Sequence, residues 1–153
     1  MAGGPGLKCQ PMDTTKQDRE LGTSFSPRFD DNGLIPCVTV HAETKDVLMV
    51  AYMNEDSLKH TLESGNVTYW SRSRGKLWKK GESSGMTQHL QRLRVDCDQD
   101  CLVAEVVVGD PATTPQAACH TGFKSCFYRK VNADGSLEFV ETEKAFDPDA
   151  VYG

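Results

Sequence analysis

Ile35-Pro-Cys-Val-Thr-Val-His41 and Val47-Leu-Met-Val-Ala-Tyr-Met53 are the stretches whose reading decides the fold. The first sets apolar residues at alternate positions, the pattern of a half-buried strand. The second is a continuous apolar run and reads as a buried strand. Thr44 to Asp46 supplies a turn between them, so the pair predicts a hairpin. Just downstream, Asn54 can cap a helix over residues 55 to about 64, with Glu55 and Asp56 in its first turn. Leu58 and Leu62 give that helix an apolar stripe, and Gly65 ends it. Further out, Val67–Ser71, Leu90–Asp96 and Leu102–Val108 read as strands, the last the clearest. Asp110–Gln116, with Pro111 and Pro115, is a loop. Cys126–Val131 and Leu137–Val140 read as short strands divided by the turn Asn132–Gly135. Upstream, residues 1–27 are rich in Gly, Pro and polar side chains and read as a flexible N-terminal arm. The sum is an α+β, strand-dominated single domain with one or two short helices: an arm over 1–27, the main domain over 28–131, and a C-terminal hairpin strand and tail over 132–153.

The 153 residues suffice for one self-supporting core. A formal charge of -5 and a pI near 5.3 argue against a nucleic-acid partner, which needs a basic surface. A small anionic ligand needs only a local basic patch. No apolar run is long enough to span a bilayer, so no membrane role is expected. The first 26 residues lack the apolar centre of a secretory signal. A cytoplasmic location follows as the expectation, and there the six cysteines read as metal or catalytic candidates rather than as disulfides.

Asp96-Cys97-Asp98-Gln99-Asp100 is the most informative pentapeptide. If it is extended, Asp96, Asp98 and Asp100 share one face and Cys97 points to the other. Three adjacent carboxylates repel unless protons or a cation neutralise them, and hard oxygen ligands suit magnesium. An EF-hand would need Gly and Glu where this chain has Cys101 and Val107. The plain alternative is an acidic, solvated strand end. Cys97, Cys119 and Cys126 together offer three thiolates, and three protein ligands plus water is the pattern of an open zinc site. Cys101 would share the face of Cys97 on an extended strand and so either closes the site as a fourth ligand or simply packs. His120, beside Cys119, is either a proton-transfer group or a support for the ligands. Between Trp70 and Gly85 lie Arg72, Arg74, Trp78 and Lys80, suited to phosphate oxygens and to stacking on a base, or else to an exposed cationic hairpin.

At this point the residues resemble a known family. From about Phe29 to Val131 the chain is similar to phosphoribosyl-AMP cyclohydrolase, an enzyme of histidine biosynthesis. The resemblance is carried by Gly-Leu-Ile-Pro at 33–36, Val-Leu-Met at 47–49, Tyr-Met-Asn-Glu at 52–55, Ser-Arg-Ser-Arg at 71–74, Leu-Trp-Lys-Lys-Gly-Glu at 77–82 and Ser-Gly at 84–85. Asp-Cys-Asp-Gln-Asp at 96–100, Ala-Cys-His-Thr-Gly at 118–122 and Ser-Cys-Phe-Tyr-Arg at 125–129 complete it. It implies an obligate-type homodimer with zinc on Cys97, Cys119 and Cys126, the first from the neighbouring subunit. It further implies magnesium on Asp96, Asp98 and Asp100. The implied reaction is hydrolytic opening of the adenine ring of 1-(5-phosphoribosyl)-AMP at the C6–N1 bond. Two departures stand out. The family often has His after the Ser-Gly pair, where this chain has Met86, with His89 following. Cys101 replaces a small or hydroxyl residue.

The expected chemistry is attack at C6 by water activated on zinc, with His120 moving a proton. The magnesium row then organises substrate oxygens, and Arg72, Arg74 and Lys80 hold phosphates, with Trp78 beside the base. A nucleobase deaminase is a rival, but its Pro-Cys-x-x-Cys half is absent downstream of His41-Ala42-Glu43. A non-enzymatic zinc module is another, disfavoured by the net negative charge and the Asp row.

Overall fold

The computed structural model describes residues 15–152; Cys9, read as part of the arm, lies outside them. β1 (Ile35–His41) and β2 (Val47–Met53) form the expected antiparallel hairpin, with Cys37 opposite Ala51 and a bulge at Thr39/Val40. α2 (Glu55–Ser64) begins at a reciprocal cap: Asn54 Oδ1 accepts from Ser57 N at 2.8 Å and Ser57 Oγ accepts from Asn54 N at 2.9 Å. It ends at Gly65, whose φ of 77° is the left-handed geometry that favours glycine. β3 (Thr68–Ser71) pairs with β4 (Lys76–Lys79), and β5 (Gln88–Val95) pairs with β6 (Leu102–Val108). The six strands lie in the order β4-β3-β2-β1-β6-β5, with β2 and β1 in the middle and β1 running parallel to β6. A separate ribbon pairs β7 (Arg129–Val131) with β8 (Leu137–Phe139).

The core gathers Ile35, Cys37, Leu48, Met53, Leu58, Val67, Tyr69, Leu102, Ala104, Val106 and Val108, all without solvent exposure. They come from β1, β2, α2, β3 with Val67 just before it, and β6, so burial welds the hairpin to the long strand. Among the described residues no helix is long and apolar enough to cross a membrane.

Several elements differ from the sequence reading. Two helices join α2: α1 (Lys16–Leu21), capped by Thr15, and α3 (Pro148–Tyr152). Each is too short to show a periodic stripe. α1 falls within the stretch read as an arm, and residues 19–28 are pinned there by Gln99. That side chain accepts from Ser26 N at 2.6 Å and donates to the carbonyls of Arg19 and Ser24 at 3.0 and 3.3 Å. β4 had no reading as a strand of its own. β7 is shorter than the expected strand over 126–131, because Cys126 N donates to Leu48 O at 2.7 Å and leaves the ribbon. Asp96–Asp100 is not extended. It is the reversal between β5 and β6, closed by Asp96 N on Cys101 O at 3.1 Å, with Gln99 at a φ of 60°.

Candidate active site

Ala118 to Lys124 folds back on itself. Ala118 N donates to Lys124 O at 2.9 Å, and Gly122 N donates to Cys119 O at 3.0 Å. This tight turn holds Cys119 on one limb and His120 at its tip, and the chain then carries Cys126 back beside Cys119. The Cys119 thiol lies 2.9 Å from Thr121 Oγ1. Burial pushes the Cys126 thiol up to about 12, with the adjacent Cys119 adding to the effect. A metal cation on the pair would reverse that preference, since coordination favours the thiolate.

Lys80 stands against the same pair. It is only 8 % exposed and donates from Nζ to Ala118 O at 2.8 Å. Burial lowers its pKa, while the Cys126 and Cys119 thiols push the other way. Its ammonium therefore lies beside the thiols.

Arg74, Trp78, Lys80, His120 and Cys126 line one cleft of about 320 Å³, together with Met49, Ala118, the Gly81–Ser84 turn and Tyr152. A volume of that order suits a small ligand. A second hollow, lined by Tyr52, Trp70, Arg72, Arg74 and Trp78 among others, shares Arg74 and Trp78 with the first, so the two are contiguous. Arg72 sits 4.1 Å over the Tyr52 ring, and Arg74 Nε donates to Ser71 Oγ at 3.3 Å. The site thus has a sulfur end with an imidazole and a cationic, aromatic end.

The remaining expected ligands lie elsewhere in the chain. Asp96, Asp98 and Asp100 do converge, with one oxygen of each within 4.8 Å of the others. They meet because the β5–β6 reversal curls around them, not because a strand alternates. Asp96 Oδ1 accepts from Asp100 N and Cys101 N at 3.0 and 3.2 Å. The contact with Asp98 raises the Asp100 carboxyl. Such a cluster fits a hard divalent cation. Cys97 is exposed on this turn, in a hollow with Glu20, Phe25 and Val95, away from the cleft that holds Cys126. Two of the three expected thiols therefore converge within one chain and the third does not. A three-sulfur zinc set fits only if that third sulfur comes from a second copy.

Cys101 does not share a strand face with Cys97. It is half-buried next to Cys37, whose thiol burial pushes up to about 12. Met86 is buried in the core, and His89 pairs across to Asn66 and lies 3.2 Å from Thr87 Oγ1. His89 lines neither of the two contiguous hollows. Met49 and Tyr152 line the cleft without having been singled out. Met49 was hidden in an apolar run, and Tyr152 lies far downstream with no motif around it.

Residues 49–128 match the family model described as phosphoribosyl-AMP cyclohydrolase. A protein named phosphoribosyl-AMP cyclohydrolase from Bradyrhizobium diazoefficiens is 49% identical over 145 residues, 92% of this chain and 99% of that protein. One of the same name from Rhodopseudomonas palustris strain BisB18 is 51% identical, covering 88% of this chain and 91% of its own length. Another from a Bradyrhizobium species, strain BTAi1, is 52% identical over 84% of this chain and 98% of its own. A family model spanning more than half of the chain, joined to near-half identity along almost whole relatives, shows that the chain belongs to the phosphoribosyl-AMP cyclohydrolase family.

Proposed function

We propose that this chain hydrolyses phosphoribosyl-AMP in histidine biosynthesis, opening the adenine ring at the C6–N1 bond, and does so as a cytoplasmic homodimer that needs zinc and magnesium. The observation that carries the reading is the meeting of Cys126, Lys80 and His120 at one end of a cleft, with Cys119 buried beside Cys126, while the other end offers Trp78, Arg72 and Arg74.

Cys119 and Cys126 of one chain would hold zinc together with Cys97 of a second copy, and Asp96, Asp98 and Asp100 would hold magnesium. Bound zinc supplies a Lewis acid that makes water a nucleophile near neutral pH. The chain's own residues do the rest. Lys80 balances the negative charge of two thiolates from behind the site. His120, exposed at the tip of its turn, moves a proton to or from the reacting ring. Trp78 lies where the two hollows join and offers a face to the base. Arg72 and Arg74 pair with phosphate oxygens in the wider hollow. The two-part cleft suits a ligand with a base between two phosphoribosyl arms. Support for a dimer comes from the separation of Cys97 from its fellow ligands. Exposed apolar residues on the ribbon add to it: Val131, Leu137, Phe139 and Val140 are each more than half exposed.

The test is zinc content per subunit measured alongside ring opening, followed by ultraviolet absorbance, before and after chelation. Stoichiometric zinc, activity lost on its removal and activity regained on its return are expected. Full turnover by zinc-free protein defeats the scheme, and release of ammonia identifies a deaminase instead.

A further inference from the structure

Beyond β8 the chain turns back towards the cleft. Val140 N and Glu141 N both donate to Tyr128 O, at 2.9 and 3.3 Å. Ala145 N and Phe146 N then both donate to Gly122 O, at 2.7 and 3.3 Å. Gly122 closes the turn that carries His120, and its φ is 101°. A Cβ there would lie 2.6 Å from Phe146 O, so only glycine lets the returning segment approach this closely. Phe146 packs against the hydrophobic core, and Lys144 Nζ lies 5.9 Å from the centre of the Phe123 ring.

From this anchor the local sequence starts a short helix. Asp147 accepts from Asp149 N through Oδ1 at 3.0 Å and from Ala150 N through its carbonyl at 3.1 Å. Pro148 occupies the first helical position, where its missing N–H costs nothing. The single turn of α3 brings the Tyr152 ring to 6.3 Å from Phe146 and onto the cleft wall shared by His120, Cys126 and Trp78. This strap lies outside residues 49–128, the part of the chain that matches the family model.

We propose that Tyr152 is a substrate-contacting residue that gives the cleft a second large aromatic wall for the purine, and that residues 141–152 are the strap that carries it. The inference rests on the cyclohydrolase reading of the cleft. Trp78 and Tyr152 are the two large aromatic rings in the lining, one on β4 and one on the strap. A planar base beside them gains stacking that neither the thiol end nor the arginine end supplies. Because this contact is made away from the bond that breaks, it tightens ground state and transition state alike and is read in KM rather than in kcat. The strap also ties substrate binding to the His120 turn, since both hang on Gly122 O.

The experiment compares wild type, Tyr152→Ala, Tyr152→Phe and Phe146→Ala in the full chain with its metals, using phosphoribosyl-AMP as substrate. Tyr152→Ala is expected to raise KM about tenfold, a stacking-sized effect, with kcat within about twofold and zinc content unchanged. Tyr152→Phe should restore KM, because the ring and not the hydroxyl makes the contact. Phe146→Ala, which loosens the anchor, should raise KM in the same direction. If wild type turns over and Tyr152→Ala matches it in KM, the strap inference falls while the function stands. Failure of Tyr152→Phe to restore KM, or loss of zinc in Tyr152→Ala, also overturns it, the latter by showing a structural role. If wild type itself leaves the substrate unopened, the function falls and this inference with it.

Discussion

Tyr69 is fully buried, and its hydroxyl has no water to turn to. It donates to Gln88 Oε1 at 2.6 Å and lies 2.6 Å from Thr39 Oγ1, which serves as donor to it. Gln88 Nε2 in turn reaches Met49 Sδ at 3.4 Å, so the chain of polar contacts ends beneath a residue lining the cleft. Tyr69→Phe leaves the Gln88 oxygen and the Thr39 hydroxyl unsatisfied and should cost about 1–3 kcal/mol, read as a lower urea midpoint with an unchanged slope. Glu105 is a second residue-scale case. Its side chain is 4 % exposed and takes Lys45 at 3.1 Å, Arg92 at 2.8 Å and Arg94 at 3.0 Å. Arg92 foremost holds its carboxyl down from 4.5 to about 2. A lowered carboxyl stabilises the fold fully above the unfolded value and loses that contribution as pH falls from there through the folded one. The thermal midpoint should therefore drop between about pH 4.5 and pH 2, and Glu105→Gln should flatten that limb. At this scale the sequence identified chemistry better than surroundings. Cys126, His120, Arg74, Trp78 and Lys80 do line one cleft, with Cys119 buried beside Cys126, yet Lys80 is itself buried against the thiols, and Glu105 looked like any polar residue in an apolar strand.

At the scale of elements, legibility followed length and pattern. Asn54, the acids after it and Gly65 marked α2 to the residue, and the cap is reciprocal with Ser57. Asn54→Ala removes that cap and should lower stability by about 1 kcal/mol, measurable by denaturant titration. β1, β2 and β6 were legible because each buries a run of apolar residues. The reversal over 96–101 was not, because it contains neither Gly nor Pro. It turns on Gln99 in a left-handed conformation, a residue rarely used that way, and on side-chain bonds from Asp96 and Gln99 that no local pattern announces. The gathering of three aspartates was thus expected for a geometric reason that the turn replaces. β4 escaped notice because its four residues are mostly exposed, and α3 because one turn of helix has no periodicity to read.

At the scale of the molecule, the proposed zinc site cannot be finished within one chain, and this yields a sharp test. Cys97→Ser and Cys126→Ser should each lose zinc and activity as homodimers. Refolded together, half of the random pairs hold one intact site of two, so about a quarter of wild-type activity should return. No recovery on mixing would mean that the three thiols do not serve one shared metal. The sheet order has a further consequence. Its middle pair is β2 with β1, and the other edge of β1 is covered by the parallel strand β6, where Cys37 lies opposite Leu102. The first hairpin must therefore keep one edge bare until α2, β3, β4 and β5 have been threaded past it. Loop closure of that span is an entropic toll levied before any β1–β6 hydrogen bond repays it, which places refolding in the range of about milliseconds to seconds, not microseconds. Stopped-flow tryptophan fluorescence can time it. On the ribosome the same arrangement leaves an unpaired, apolar strand edge waiting on synthesis of the middle third of the polypeptide, a window in which a holdase chaperone would find its client.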